Sequence, residues 1–280
     1  MSHFTLTTPF PGALRATFDR PPANLLTDQT VVELDGIADA LEHQDLRVVI
    51  FDSANPDYFM ARYDVSARAA GVDPGAALRR FADVAERISA APVVTVASIR
   101  GRARGGGNEI ALACDVRFAS RERAFLCQPE VPFGILPGGG GIERLAGLIG
   151  YARAVEVVIS GEDYDAATAE LYGWVNRAIP DDELDTFVDG FARRIAGFDR
   201  AAVATAKQLL KRSETYRRAN LDETITAVGS VAASASPDRR KIIARRAATL
   251  GPDFERDLPR HLEVDESVEP VRGEPDELDR

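Results

Sequence analysis

Two glutamates in glycine-rich surroundings are the side chains of this sequence best suited to chemistry. Glu109 follows the stretch Ile99-Arg100-Gly101-Arg102-Ala103-Arg104-Gly105-Gly106-Gly107-Asn108, and Glu130 follows Cys127-Gln128-Pro129. A second glycine run, Pro137-Gly138-Gly139-Gly140-Gly141, lies just beyond. A glycine turn entering a helix presents backbone N–H groups and the positive end of the helix dipole to whatever lies in front of it. That suits a bound phosphate or an oxyanion developing during reaction, where one such donor contributes about 3 to 4 kcal/mol. The same glycines would also serve close packing of strand on helix. Neither run is followed by Gly-Lys-Ser/Thr, so a P-loop is excluded. Ile110 and Glu143 stand where the last glycine of a dinucleotide fingerprint would fall. A glutamate in a first helical turn is favoured by the dipole alone, whereas Glu130 sits among apolar neighbours, where an unpaired carboxylate is costly. Two carboxylates facing one pocket can hold a water between them and divide base and acid roles if their pKa values are pushed apart. They would titrate as a pair.

An alternating frame must position these groups. Ala13 to Phe18 reads as a strand, and Asp28 to Leu41 as a helix capped by Thr27. Val48 to Phe51, Val93 to Ile99, Val116 to Ala119 and Ala124 to Cys127 read as strands. Pro74 to Ala90 and Asn108 to Cys114 read as helices. This alternation predicts an α/β architecture. Beyond it the pattern turns helical, over Ile142 to Ile149, Arg153 to Ile159 and Ala166 to Tyr172, with a strand from Trp174 to Ile179. Helices follow over Glu183 to Phe198, Ala201 to Arg218, Leu221 to Ala235 and Arg239 to Leu250. The expected organisation is a core over 1–198, a helical region over 199–260 and an acidic, solvated tail over 261–280.

Composition narrows the function. Of 280 residues, 45% are hydrophobic and 28% charged, as in an ordinary globular chain. The net charge of −10 opposes binding to nucleic acid or an anionic membrane. The most apolar stretch, Ala90 to Ile99, stops at Arg100, short of a membrane span. Met1 to Pro11 shows no secretory pattern, so a cytoplasmic protein is expected. Cys114 and Cys127 are the only cysteines, and His3, His43 and His261 lie far apart, so neither a disulfide framework nor a metal centre is expected.

At this point the residues match a family. Asp19-Arg20-Pro21-Pro22-Ala23-Asn24-Leu25, Tyr58-Phe59-Met60-Ala61-Arg62-Tyr63-Asp64, Gly101-x-Ala103-x-Gly105-Gly106-Gly107-x-Glu109, Ala113-Cys114-Asp115 and Gln128-Pro129-Glu130 with the second glycine run fall in one register. The chain resembles the crotonase superfamily (the enoyl-CoA hydratase/isomerase family) from about Phe18 to Ile179, and more weakly through Lys207-Gln208-Leu209-Leu210. The resemblance implies a spiral of ββα turns with a C-terminal helical region that builds homotrimers, often paired into hexamers. It implies an acyl-CoA thioester as substrate, with coenzyme A part of that substrate and no tightly bound cofactor. It assigns the two oxyanion-hole N–H groups to Tyr63 and Gly106, the catalytic pair to Glu109 and Glu130, and substrate contacts to Ala23, Leu25, Ala61, Arg62, Asp64, Arg104 and Gly105. Because both glutamates are present, hydration of a 2-enoyl-CoA is expected. The alternatives are isomerisation, decarboxylation or thioester hydrolysis on the same fold, or a weakly catalytic member that binds acyl-CoA or RNA.

Departures from the family pattern sharpen the questions. Arg62 stands where glycine is usual, and would displace the first hole donor if that position needed positive φ. Arg104 stands where an apolar residue is usual. Both arginines are read either as partners of nearby carboxylates or as ligands for an acyl-chain carboxylate or a CoA phosphate. Arg239-Arg240-Lys241 and Pro252-Asp253-Phe254 match the family's C-terminal pattern only loosely. Cys127 reads as an apolar filler beside the pocket, Asp64 also as a turn cap, and Trp174 as a core or interface aromatic.

Overall fold

The strand expected at Ala13 to Phe18 is flanked by one that the pattern did not single out. The computed structural model describes residues 2–43, 45–64, 73–212, 218–234 and 236–264. It opens with β1 (Phe4–Thr7) antiparallel to β2 (Ala13–Phe18). α1 (Asp28–Ala40) follows; its N-cap Thr27 accepts from the Thr30 N–H, and Val31, Leu34, Ile37 and Ala38 form its buried face. Next come β3 (Val48–Ser53) and α2 (Pro74–Ala90), the latter capped by Asp73. β4 (Val94–Ile99) and β5 (Arg102–Arg104) lead into α3 (Gly106–Ala113). β6 (Val116–Ser120) and β7 (Phe125–Cys127) lead into α4 (Gly141–Ile149) and α5 (Tyr151–Ser160). β8 (Tyr164–Asp165), α6 (Ala166–Tyr172), β9 (Arg177–Ile179) and α7 (Leu184–Ala196) complete the first two-thirds. The remainder is helical: α8 (Arg200–Lys211), α9 (Arg218–Ser234), α10 (Pro237–Leu250), α11 (Pro252–Arg256) and α12 (Leu258–Leu262).

The larger sheet runs β1-β2-β3-β4-β6-β9 and is parallel apart from β1; the smaller runs β5-β7-β8. Twice in succession the chain lays one strand in the large sheet and the next in the small one, then closes with a helix: β4-β5-α3 and β6-β7-α4. The parallel pairs β4–β6 and β5–β7 stack the second turn on the first, giving the expected ββα spiral. A bridge from Tyr58 to Arg102 extends the small sheet toward the preceding turn.

Side-chain alternation explains the two cores. Val49 and Phe51 of β3 pack in the main core with α1 and α2. Val48 and Ile50 point the other way, toward Leu184, Val188 and Ala192 of α7. α8 is tied to the sheet by buried Lys207, whose Nζ donates to the Val93 carbonyl at 2.8 Å and pairs with Asp115 at 2.7 Å. α10 to α12 form a separate cluster of Ile243, Phe254, Leu258 and Leu262.

Several boundaries differ from the expectation. β5 lies within the arginine-rich approach to the first glycine turn. It is a strand because Ala103 is buried between the sheets and Arg104 is neutralised by a partner distant in sequence. The strand expected from Trp174 begins only at Arg177, because the Trp174 N–H instead closes α6 by donating to the Ala169 carbonyl. The tail expected from 261 begins later: His261 and Leu262 end α12, and Leu262 is buried; 265–280 lies outside the described residues. The helix expected to Arg218 is described to Lys211, and 213–217 is likewise outside. Among the described residues no helix is long and apolar enough to cross a membrane.

Candidate active site

The site is built where α3 begins. Gly107 lies so close to the Met60 and Ala61 carbonyls that a Cβ would collide with both, and its N–H donates to the Ala61 carbonyl at 3.2 Å. This contact seats the N-terminus of α3 against the Ala61-Arg62-Tyr63 segment. Gly106, the first residue of α3, carries an N–H with no acceptor inside its own helix. The Leu26 N–H donates to the Arg62 carbonyl at 3.1 Å, and the Asp64 N–H donates to the Leu26 carbonyl at 2.8 Å. Successive peptide groups of an extended segment alternate in direction, so the Tyr63 N–H faces away from Leu26. Tyr63 and Gly106 both line one cavity of about 530 Å³.

Glu109 and Glu130 line that same cavity. Glu109, almost wholly buried, accepts at Oε1 from the Gly139 N–H at 2.7 Å and the Gly141 N–H at 2.9 Å. The second glycine run therefore supports Glu109 rather than presenting its donors to a ligand. Glu130, half-buried in the loop after β7, accepts at Oε2 from Gln128 Nε2 at 2.9 Å. Its Oε1 lies toward Gly105, 2.6 Å from where a Cβ on that residue would stand. Gly105 has φ +48°, so glycine is required there on both counts. Burial raises the pKa of both carboxyls. For Glu109 the Gly141 and Gly139 donors oppose that rise; for Glu130 the nearby Glu109 charge adds to it. The environments thus favour charge on Glu109 and a proton on Glu130.

The rest of the cavity is mostly apolar. Leu78 and Phe81 of α2, with Phe133, Ile135 and Leu136, form its walls. Val228 and Ala232 of α9, Ile243, Ala244 and Ala247 of α10 and Phe254 of α11 close it from above. The C-terminal helices, expected to build subunit contacts, here cover the cavity of their own chain. Arg62 enters it as a cation held at 2.6 Å by Glu255 of α11, with its guanidinium over the rings of Phe133 and Phe254.

These contacts place both arginines. Arg62 does not sit at positive φ; among the described non-glycine residues only Asn24 does, so the backbone before Tyr63 is unstrained. Arg104, expected among the substrate contacts, is bound within the protein. Its side chain is fully buried, paired with Asp163 and bonded to the Glu255 carbonyl, and it is not on the cavity wall. Neither arginine is paired with Glu109 or Glu130. Ala23, Leu25 and Ala61 gather with Tyr58 in a small apolar cluster, and they, Asp64 and Gly105 stand outside the cavity lining. Cys127 is buried, its thiol donating to the Gly161 carbonyl at 3.1 Å. Among the described residues no group of three or more His, Cys, Asp or Glu side chains is arranged to hold a metal. Sequence reasoning missed the Gly139 and Gly141 donors, Glu255, and the roof from α9 to α11. The only signal for them was the short, loosely matching run Pro252-Asp253-Phe254 and the second glycine run itself.

A family profile described as enoyl-CoA hydratase/isomerase matches residues 12–240. The short-chain-enoyl-CoA hydratase of Clostridium acetobutylicum is 33% identical over 207 residues, covering 70% of this chain and 76% of its own. A Streptomyces avermitilis protein classed provisionally as an enoyl-CoA hydratase has a crystal structure that superposes with a TM-score of 0.84 at 38% identity, covering 93% of this chain and 96% of that one. A Thermobifida fusca protein of the same provisional class, solved in complex with CoA, superposes with a TM-score of 0.70 at 27% identity, covering 83% and 93%.

Proposed function

The chain belongs to the enoyl-CoA hydratase/isomerase family, the crotonase superfamily, and from that premise we infer that it hydrates a 2-enoyl-CoA thioester through an enolate. The carrying observation is that Glu109, Glu130 and the N-terminal residue of α3 line one apolar cavity. The thioester carbonyl would lie between the N–H groups of Tyr63 and Gly106. As water adds at Cβ, electron density moves to the carbonyl oxygen, where two backbone donors in a dry site stabilise it. Glu109, whose bonds from two peptide N–H groups favour its charged form, takes a proton from the attacking water. Glu130 delivers a proton to Cα as the enolate collapses to the 3-hydroxyacyl thioester. Coenzyme A enters as part of the substrate; Arg62 and the apolar roof face the bound thioester.

The oligomer and the compartment belong to the same reading. Tyr151, Val155 and Ile159 are exposed along one stripe of α5, and with exposed Leu148 of α4 they support contact between subunits of a homotrimer or a hexamer. A cytoplasmic location is part of this reading, and the acidic balance opposes binding to an anionic membrane or to nucleic acid. The test is incubation with crotonyl-CoA while following loss of absorbance of the conjugated thioester, with product identified by mass. The expected product is the 3-hydroxyacyl thioester, one water heavier. A product of unchanged mass, or free CoA, would replace hydration by isomerisation or hydrolysis.

A further inference from the structure

A chain of buried hydrogen bonds runs from the far side of α3 to Glu130. The Trp174 indole Nε1 donates to Asn108 Oδ1 at 3.0 Å, Asn108 Nδ2 donates to Gln128 Oε1 at 2.6 Å, and Gln128 Nε2 donates to Glu130 Oε2 at 2.9 Å. Its direction is fixed at one end. An indole nitrogen can only donate, so Asn108 must turn its oxygen to Trp174 and its amide hydrogens to Gln128. Gln128 must then accept from Asn108 and donate to Glu130. Trp174 is itself immobile: its side chain is wholly buried, its N–H is bound to Ala169 and its carbonyl accepts from Arg117 Nε at 2.9 Å. Asn108, Gln128 and Trp174 are each fully buried, so water does not offer these amides another arrangement.

We propose that Trp174 and Asn108 are positioning residues that, through Gln128, decide which oxygen of Glu130 carries its proton. Because Oε2 accepts from Gln128, the acid proton resides on Oε1, the oxygen directed toward the Gly105-Gly106 turn where the substrate would be held. This rests on the assignment of Glu130 as the proton donor. If the chain lost its direction, Gln128 could present its oxygen to Oε2. The proton would then move to Oε2, where it is bound more firmly and faces away from Cα. The other charges bearing on Glu130 are Glu109 on α3 and Arg62, with Glu255 of α11 paired to Arg62 and Arg240 of α10 across the cavity. Trp174→Phe alters none of them.

The test uses the full chain with glutamate labelled at the side-chain carboxyl carbon, and Glu130→Gln to assign the NMR signal. Trp174→Phe is expected to move the Glu130 midpoint to higher pH and to lower kcat roughly tenfold with KM unchanged, a fraction of a full acid–base contribution. Gln128→Met, which removes the donor directly, is expected to shift the midpoint in the same direction. The double variant should then show little beyond Gln128→Met alone. An unmoved midpoint in Trp174→Phe, or shifts that add in the double variant, would overturn the relay. If Trp174→Phe does not fold, Asn108→Leu takes its place in the cycle with the same expectations. Absence of hydratase activity in the wild type, together with a Glu130 midpoint that still moves in Trp174→Phe, would support the relay while rejecting the reaction.

Discussion

Replacing Glu109 with glutamine is expected to make the protein inactive and, above neutral pH, more stable. Burial raises the Glu109 pKa from 4.5 to about 7 in the folded chain. Between those values the unfolded carboxyl has lost its proton while the folded one keeps it. Stability therefore falls as pH rises through that interval, and the whole loss is present above it. At about 1.4 kcal/mol per pH unit, a rise from 4.5 to about 7 corresponds to a loss on the order of 3 kcal/mol at pH 8. Glutamine keeps an oxygen for the Gly139 and Gly141 N–H groups and carries no charge to desolvate. Thermal unfolding should thus coincide for the two proteins below about pH 4, where both the folded and the unfolded carboxyl are protonated. At pH 8 the variant should melt several degrees higher, since each kcal/mol is worth about 2–4 °C in a chain of this size. Crotonyl-CoA turnover should fall at least about 100-fold, which corresponds to at least about 2.7 kcal/mol of lost transition-state stabilisation. Equal melting at pH 8, or retention of more than about a tenth of turnover, would refute a buried, pKa-raised base at this position.

Three further perturbations probe the surroundings. Glu255→Ala strands the largely buried Arg62 guanidinium and should cost about 3–5 kcal/mol in chemical denaturation, whereas the double variant Arg62→Met/Glu255→Leu should recover most of it. Arg104→Met, by breaking the Asp163 pair, should lower the denaturation midpoint while leaving the KM for crotonyl-CoA within about twofold; a larger KM change would restore Arg104 as a substrate contact. Gly107→Ala forces a methyl against the Met60 and Ala61 carbonyls, and should destabilise by about 1–3 kcal/mol or more, visible as reduced soluble yield and a lower Tm.

Period and punctuation in the chain were enough to read most of the frame. β3 stood out because Val48-Val49-Ile50-Phe51 is apolar on both faces, as a central parallel strand must be, and α1 because Thr27 and its apolar stripe mark a start and a face. β1 was not visible: three of its four residues are exposed, so burial left no pattern. β5 was hidden because two of its three residues are arginines, and a strand with a buried Arg104 is legible only once Asp163 is beside it.

The order of residue types alone determined that a glycine turn precedes Glu109, that Glu130 stands ahead of a second glycine run, and that a helix begins beside the first of these glutamates. Those are short-range matters of backbone freedom and helix polarity. Their environment is not short-range. Two glycine N–H groups about 30 residues downstream hold Glu109, a glutamate 193 positions away neutralises Arg62, and a tryptophan 66 positions from Asn108 sets the direction of the bonds reaching Glu130. Burial, dielectric and hydrogen-bond direction depend on which groups meet in space, so only the folded chain decides how each carboxyl holds its proton.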